Sequence, residues 1–355
     1  MSTEPDALSV LRHRVDASLA AQLDVLLPRV AGMHPAMEPL VAELRSFLAS
    51  GKRIRPALLL MGFQAAGGRQ LHVVEGPALG LELLHACALL HDDIIDAAPT
   101  RRGRPSVHRA FADRHRAAGW RGDADAYGTG VAILLGDLAF VQADELFLSA
   151  RVPDAALLAA FRRFTLLREE VMVGQALDLH AAATGATDRE LALTVATLKS
   201  GRYSVARPLE IGAVLAGADA GLLAGLHAVG DPLGRAFQLA DDLLGVFGAT
   251  DLTGKSASSD LAEGKRTLLI AEAAARLDDA GRAELEAALG HGPLDDDTTA
   301  RVRKLLTGCG ARAAVEAEIA SATGEARRAL AELPVPPAAR SALTAVADYL
   351  GNRSS

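Results

Sequence analysis

The stretch Leu89–His108, LLHDDIIDAAPTRRGRPSVH, ends an apolar run in three acids and turns, after Pro99, to arginines at 101, 102 and 104. Just upstream, VVEGPALGLELLHACALLH (Val73–His91) is apolar on nearly every side, the pattern of a helix buried among other helices. If that helix runs on through Asp92, Asp93 and Asp96, then Asp92 and Asp96 stand one turn apart on one face. Like charges so spaced cost a helix roughly a few tenths of a kcal/mol, and carboxylates at its C-terminal end oppose its dipole. A placement unfavourable on both counts calls for a bound cation. Hard oxygen donors without cysteine favour Mg²⁺ over zinc or copper.

Outward from this stretch the chain reads as helix. Leu8, Leu11, Val15, Leu19, Leu23 and Leu26 form one stripe, and MEPLVAELRSFLAS repeats the pattern up to Gly51. Further helices are expected over Val131–Ala150, Asp154–Ala182, Asp188–Gly217, Leu222–Leu244 and Lys265–Leu289. No sustained period-two alternation suggests a sheet. Three segments read as loops: PTRRGRPS, RAAGWRGDADAYGTG and GATDLTGKSASSDLAEGKRT. The expected fold is all-α, a single large helical bundle in one domain spanning residues 1–355, with its motifs within 51–270.

A formal charge of −7 argues against a nucleic-acid partner. Cys87 and Cys309 give no disulfide framework, and no signal peptide or membrane span is legible, so a cytoplasmic protein is expected.

Acidic pairs alone decide little. Asp278–Asp279 and Asp295–Asp297 read as ordinary helix N-caps or solvated ends. Asp241–Asp242, in FQLADDLLG, differs: like Asp92–Asp93 it closes an apolar helix. Mg²⁺ seldom sits in an all-protein cage and usually joins a few carboxylates to phosphates. Glycine-flanked cations suited to phosphate accompany both pairs: Lys52, Arg53 and Arg55 in GKRIRP, the RRGR run, Lys199 and Arg202 in LKSGR, Lys255, Lys265 and Arg266. Each cluster alone is an ordinary solvated surface; the ordered set is not.

From GKRIRP to EGKRTLLI the chain resembles the trans-isoprenyl diphosphate synthases, or polyprenyl synthetases, carrying GKRIRP, LLHDDIID…RRGRPSVH, GQALD, LKSG, FQLADD and TGK…DLAEGKRT in that family's order. The phrasing is most similar to actinobacterial geranylgeranyl diphosphate synthases. The resemblance implies the isoprenoid synthase fold, helices around a central cavity, usually in a homodimer. It implies that Asp92, Asp93 and Asp96, with Asp241 and Asp242, hold two to three Mg²⁺ ions, with Mn²⁺ able to substitute. Arg101, Lys199 with Ser200, Lys255, Lys265 and Gln238 would meet the allylic diphosphate. Lys52, Arg55, His85 and Arg102 would take isopentenyl diphosphate, while Gln175 and Asp178 would support the reacting carbon.

Three departures stand out: Gly245 replaces a third acid in the second motif, Ser200 replaces a threonine, and Arg353 alone remains of a basic C-terminal end. Product length should follow cavity depth. Ala88 and Cys87, four and five residues before Asp92, are small, so no aromatic floor stops the chain at farnesyl. Leu84, then Leu81 and Gly80, with Met172 or Val173 from a facing helix, come next. The expected product is geranylgeranyl diphosphate, made from dimethylallyl, geranyl or farnesyl primers. Farnesyl or longer quinone-tail synthases are the alternatives within the family. A class I terpene cyclase would carry a different second motif and no isopentenyl pocket, and a non-catalytic subunit would have lost acids that are all present here.

Overall fold

The computed structural model describes residues 5–248, 259–292 and 294–351. Lys255 and Arg353, both named above, lie outside them. The helices gather into two compact units, one of Asp6–Leu60 with Arg69–Leu157, the other of Met61–Gly68 with Leu158–Ser355.

In the first unit α1 (Asp6–Ala31) buries Leu8, Leu11, Val15, Leu19, Leu23 and Leu26, as the stripe requires. Helix α2 (Glu38–Leu48) stops short of Gly51, and α3 (Ile54–Ala65) begins in this unit. The hydrophobic α4 (Glu75–Ile95) and the long α6 (Ala124–Leu148) are its main packed pair, with α5 (Val107–Ala117) against α6. A Cβ on Gly80 would stand 2.8 Å from the Ala143 carbonyl, so that side of α4 lies almost backbone to backbone on α6.

The end of α4 answers why acid gives way to base. Asp96 caps the helix and Ala97 takes a left-handed φ of 49°. Ala97 N–H then donates to Ile94 O and Ala98 N–H to Asp93 O, the paired bonds of a Schellman stop. Pro99 leads into a two-residue hairpin, β1 (Thr100–Arg101) and β2 (Arg104–Pro105), in register Arg101↔Arg104. Arg102 and Gly103, at φ 53° and 75°, make the tight turn whose twist suits such a hairpin. PTRRGRPS, expected as plain loop, therefore contains the chain's described strands. A hairpin this short has no alternation to read.

The second unit is built on α7 (Asp154–Thr184), a rod of α8 (Arg189–Val195), a π-helical segment (Ala196–Ala206) and α9 (Arg207–Leu215), and α10 (Ala220–Phe247). After it come α11 (Ser259–Ala262), α12 (Leu268–Arg276), α13 (Asp279–Ala288), α14 (Asp296–Gly308), α15 (Ala311–Glu332) and α16 (Pro337–Gly351). A buried ion-pair web ties α7, the rod and α10 together. Glu210 accepts from Arg163 at 2.6 Å, Arg207 at 2.8 Å and His227 Nδ1 at 2.9 Å. Glu170 accepts from Arg207 at 2.6 and 2.8 Å and from Arg202 at 3.2 Å.

The hydrogen bond to Glu210 raises the His227 pKa above its ordinary 6.5, against the effect of burial. A raised folded-state pKa stabilises the fold fully below about pH 6.5 and loses that contribution as pH rises through the higher value. Wild type should melt above His227→Gln at pH 6, by no more than about 1 kcal/mol after solvent screening. By pH 9 the two melting curves should coincide. A gap that widens with pH would contradict this assignment.

Two expectations are corrected. RAAGWRGDADAYGTG is half helix, because Asp123 accepts from Ala126 N–H at 2.8 Å and starts α6. Its Gly128 is a packing glycine and not a loop glycine: a Cβ there would meet His108 O at 2.0 Å. The helix expected over Lys265–Leu289 is two, since Asp278 caps a fresh start by accepting from Gly281 N–H.

Candidate active site

In the first unit, Asp92 and Asp96 share a side of α4 while Asp93 is turned by about 100°. That turn separates their roles. Asp93 is 1% exposed and receives the Arg101 guanidinium, through Nε at 2.8 Å and through Nη2. The same Nη2 stands 3.5 Å from Asp92 Oδ2. The hairpin thus folds Arg101 back onto the acids eight and nine residues before it. Asp93, expected as a metal ligand with Asp92 and Asp96, is also the carboxylate that orients Arg101.

Arg102, at the hairpin tip, donates to Phe47 O at 3.2 Å and to Ser50 O and Oγ beyond the end of α2. Burial, with Arg53 and Arg101 nearby, lowers its pKa, although Glu82 and Asp93 oppose this. Lys52 lies in the turn after α2, and Arg55 in the first turn of α3. His85 on α4 is pushed well below its usual pKa by burial and by the charges of Arg55, Arg102, Arg101 and Arg53. It is a neutral imidazole in a cationic setting, fit to hydrogen-bond an anion's oxygen without adding charge.

In the second unit, Lys199 Nζ donates to Asp178 Oδ2 at 2.6 Å. Lys199 and Ser200 lie in the π-helical segment, whose extra residue per turn re-aims side chains relative to an α-helix. Gly174 on α7 permits the approach: a Cβ there would stand 2.3 Å from Lys199 N. Backbone cannot yield as a side-chain tip can. Gly174→Ala should therefore cost about 1–3 kcal/mol of stability through overpacking and displace Lys199. Melting and steady-state rates measure both, and an alanine variant of wild-type activity would sink the reading. Gln175, one residue on, is half-buried.

Gln238 Nε2 donates to Asp242 Oδ1 at 2.6 Å. Burial, then the charges of Asp260 and Asp241, push the Asp242 carboxyl up to about 8, against Gln238 and Lys265. Acids crowded to that degree suit a cation. Asp260 was not anticipated. It fills the space over Gly245, where a Cβ would come within 1.9 Å of its Oδ2, so α11 brings an acid to the place of the motif's missing third one. The hints in the chain were the glycine itself and the DLAEGKRT motif, which Asp260 opens. Lys265 Nζ lies 2.5 Å from Glu263 and 3.5 Å from Asp260.

Among the described residues no three His, Cys, Asp or Glu side chains converge closely enough to enclose a metal ion alone. The donor set nonetheless fits Mg²⁺, which keeps water and substrate oxygens in its shell.

On α4, Ala88 lies about 40° from Asp92 and Cys87 about 140°. Cys87 Sγ lies 3.8 Å from His91 Nδ1, and His91 Nε2 is 3.2 Å from Ile133 O on α6. Cys87 and Gly80 thus lie on the α6 side of α4, while Ala88 lies on the side of Asp92. Leu84 is 3% exposed, while Met172 and Val173 on α7 are 57% and 51% exposed.

Each unit holds carboxylates together with cations suited to phosphate, the equipment of a metal-dependent prenyltransferase. The family model for polyprenyl synthetase matches residues 38–306, and the chain belongs to that family. It is similar to a crystal structure of geranylgeranyl pyrophosphate synthase from Corynebacterium glutamicum complexed with isoprenyl diphosphate and magnesium. Identity is 36%, the TM-score 0.91, and coverage 96% of this chain and 98% of that one. The (2E,6E)-farnesyl diphosphate synthase of Mycobacterium tuberculosis is 33% identical over 86% of this chain and 80% of its own length. The geranylfarnesyl diphosphate synthase of Aeropyrum pernix is 32% identical over 88% and 93%. The protein is an enzyme that makes trans-prenyl diphosphates, and these relatives differ in product length.

Proposed function

We propose that the protein condenses isopentenyl diphosphate with an allylic diphosphate, head to tail, to give geranylgeranyl diphosphate. The observation that supports the reading is the pairing of Arg101 with Asp93 beside Asp92, a guanidinium suited to phosphate next to an acid suited to a metal ion. Asp92 and Asp96, with Asp241 and Asp242, would hold Mg²⁺, the ion named with the Corynebacterium structure. When bound, the metal neutralises charge on the departing diphosphate as a Lewis acid. Arg101 in the first unit and Lys199 in the second would each offer fixed positive charge to an allylic diphosphate. Lys265 and Gln238 join that allylic set, Gln238 through Asp242. Lys52, Arg55, Arg102 and neutral His85 take the isopentenyl diphosphate and hold its double bond for attack, which turns an encounter into a local step. Apolar helix surface excludes water that would otherwise quench the allylic cation. Gln175 and Asp178 stand at the Lys199 turn, where their oxygens can face that cation.

Ala88 leaves the side of α4 below Asp92 open to a chain longer than farnesyl. A homodimer fits α6, on which Leu134, Val141 and Leu148 recur every seven residues at 64%, 59% and 53% exposure. The two cysteines are free, as in a reducing cytoplasm. No helix among the described residues is long and apolar enough to cross a membrane.

The test is elongation of labelled isopentenyl diphosphate from dimethylallyl, geranyl and farnesyl diphosphates with Mg²⁺, the dephosphorylated products being sized by chromatography. A geranylgeranyl product supports the reading. No elongation from any primer would overturn it.

A further inference from the structure

Arg53 stands between two residues assigned to the isopentenyl pocket, yet the structure turns it inward. It is 3% exposed, and its backbone is left-handed at φ 50°. For a side chain with a Cβ that conformation is strained, and such strain persists only where surrounding contacts enforce it. Here they do. Nε donates to Asp16 Oδ1 of α1 at 2.8 Å, and Nη1 to Glu82 Oε1 of α4 at 2.5 Å. Nη2 donates to Leu48 O, and Nη1 also reaches Ser50 O at 3.4 Å. One planar guanidinium thus joins two carboxylates and the carbonyls at the end of α2, a fork that an ammonium cannot reproduce.

These partners adjoin the residues assigned to the pocket. Lys52 precedes Arg53, and Arg55 follows in the first turn of α3. Glu82 lies one helical turn before His85 on α4. Arg102 docks on the same Ser50 carbonyl from the hairpin. Gly51 is part of the fit, since a Cβ there would come 2.8 Å from Arg53 Nη1 and 3.3 Å from Glu82 Oε1.

We propose that Arg53, clamped by Glu82 and Asp16, is a positioning residue that presents Lys52, Arg55 and His85 to isopentenyl diphosphate. The inference rests on the prenyl-transfer reading and adds to it a residue that touches no substrate. Its signature is selective: the KM for isopentenyl diphosphate depends on the clamp, while the KM for the allylic primer does not.

The experiment measures both KM values and kcat for wild type, Arg53→Lys, Glu82→Gln and Arg55→Gln, with melting curves for each. Arg53→Lys should raise the isopentenyl KM by about tenfold or more, as expected when binding groups are misplaced by a fraction of an ångström, with kcat and the primer KM within about twofold of wild type. Glu82→Gln keeps an acceptor for Arg53 and should give a smaller rise of the same kind. An unchanged isopentenyl KM in a folded Arg53→Lys, or equal rises in both KM values, overturns the proposal. Should Arg53→Lys not fold, Glu82→Gln decides by the same criterion. Failure of the underlying reading looks different: wild type would not elongate, or Arg55→Gln would leave the isopentenyl KM unchanged.

Discussion

Asp92→Ala should abolish prenyl transfer while leaving the protein as stable as before, or slightly more so. The loss of rate should be about a thousandfold, the scale seen when a group stabilising transition-state charge is removed. Stability moves the other way for local reasons. Asp92 and Asp96 repel one turn apart, and both stand at the dipole-disfavoured end of α4. Removing one relieves both costs by roughly a few tenths of a kcal/mol. The Arg101–Asp93 bond remains, so the hairpin stays anchored. Labelled-substrate assays and melting curves without metal check the two halves. A variant that loses activity and melts much earlier would show Asp92 to be structural, and the functional reading of the acids would fall with it.

Ala88→Phe should shorten the product from geranylgeranyl to farnesyl, or to geranyl, with elongation from dimethylallyl diphosphate preserved. Ala88 lies on the Asp92 side of α4, whereas Cys87 faces α6 beside His91. A phenyl ring at 88 would occupy space that the chain's later methylenes need. Each buried CH₂ favours the deeper state by roughly 0.8 kcal/mol, so blocking a five-carbon unit outweighs any modest gain in packing. Cys87→Phe should act differently. It would press into the contact with α6, where Gly80 already brings the helices within backbone reach, and should cost stability of about 1–3 kcal/mol before it alters length. Product sizing and melting curves on the pair separate the two positions. Equal shortening by both without loss of stability would mean that the faces of α4 are assigned wrongly.

Much of this was legible in the chain because it is local. The leucine stripe of α1 and the apolar run of α4 follow from one helical period each, and the acids of both motifs stand out because they end apolar helices. Apart from the short hairpin and two local helix caps, what escaped has a distant partner. Arg53 looked like one more cation in GKRIRP until Glu82 and Asp16 closed on it. Asp260 stood in the DLAEGKRT motif without a role until it filled the space over Gly245. Gly128 looked like a loop glycine, because a short approach to another backbone leaves no trace in its own neighbourhood. The π-helical turn at Lys199 depends on α7 and α10 on either side, through Gly174, Gly201 and Gly234.

By itself the sequence determined the helical class, the order of the motifs and the kind of chemistry, since periodicity and donor type are properties of short stretches. Tertiary structure decided which neighbour each member of a motif meets. A helical repeat sets the angle between Asp92 and Asp93, or between Cys87 and Ala88, but not which direction meets a neighbour. That direction came from α6 against α4 and from the hairpin returning Arg101, contacts whose energy depends on where distant residues sit in space.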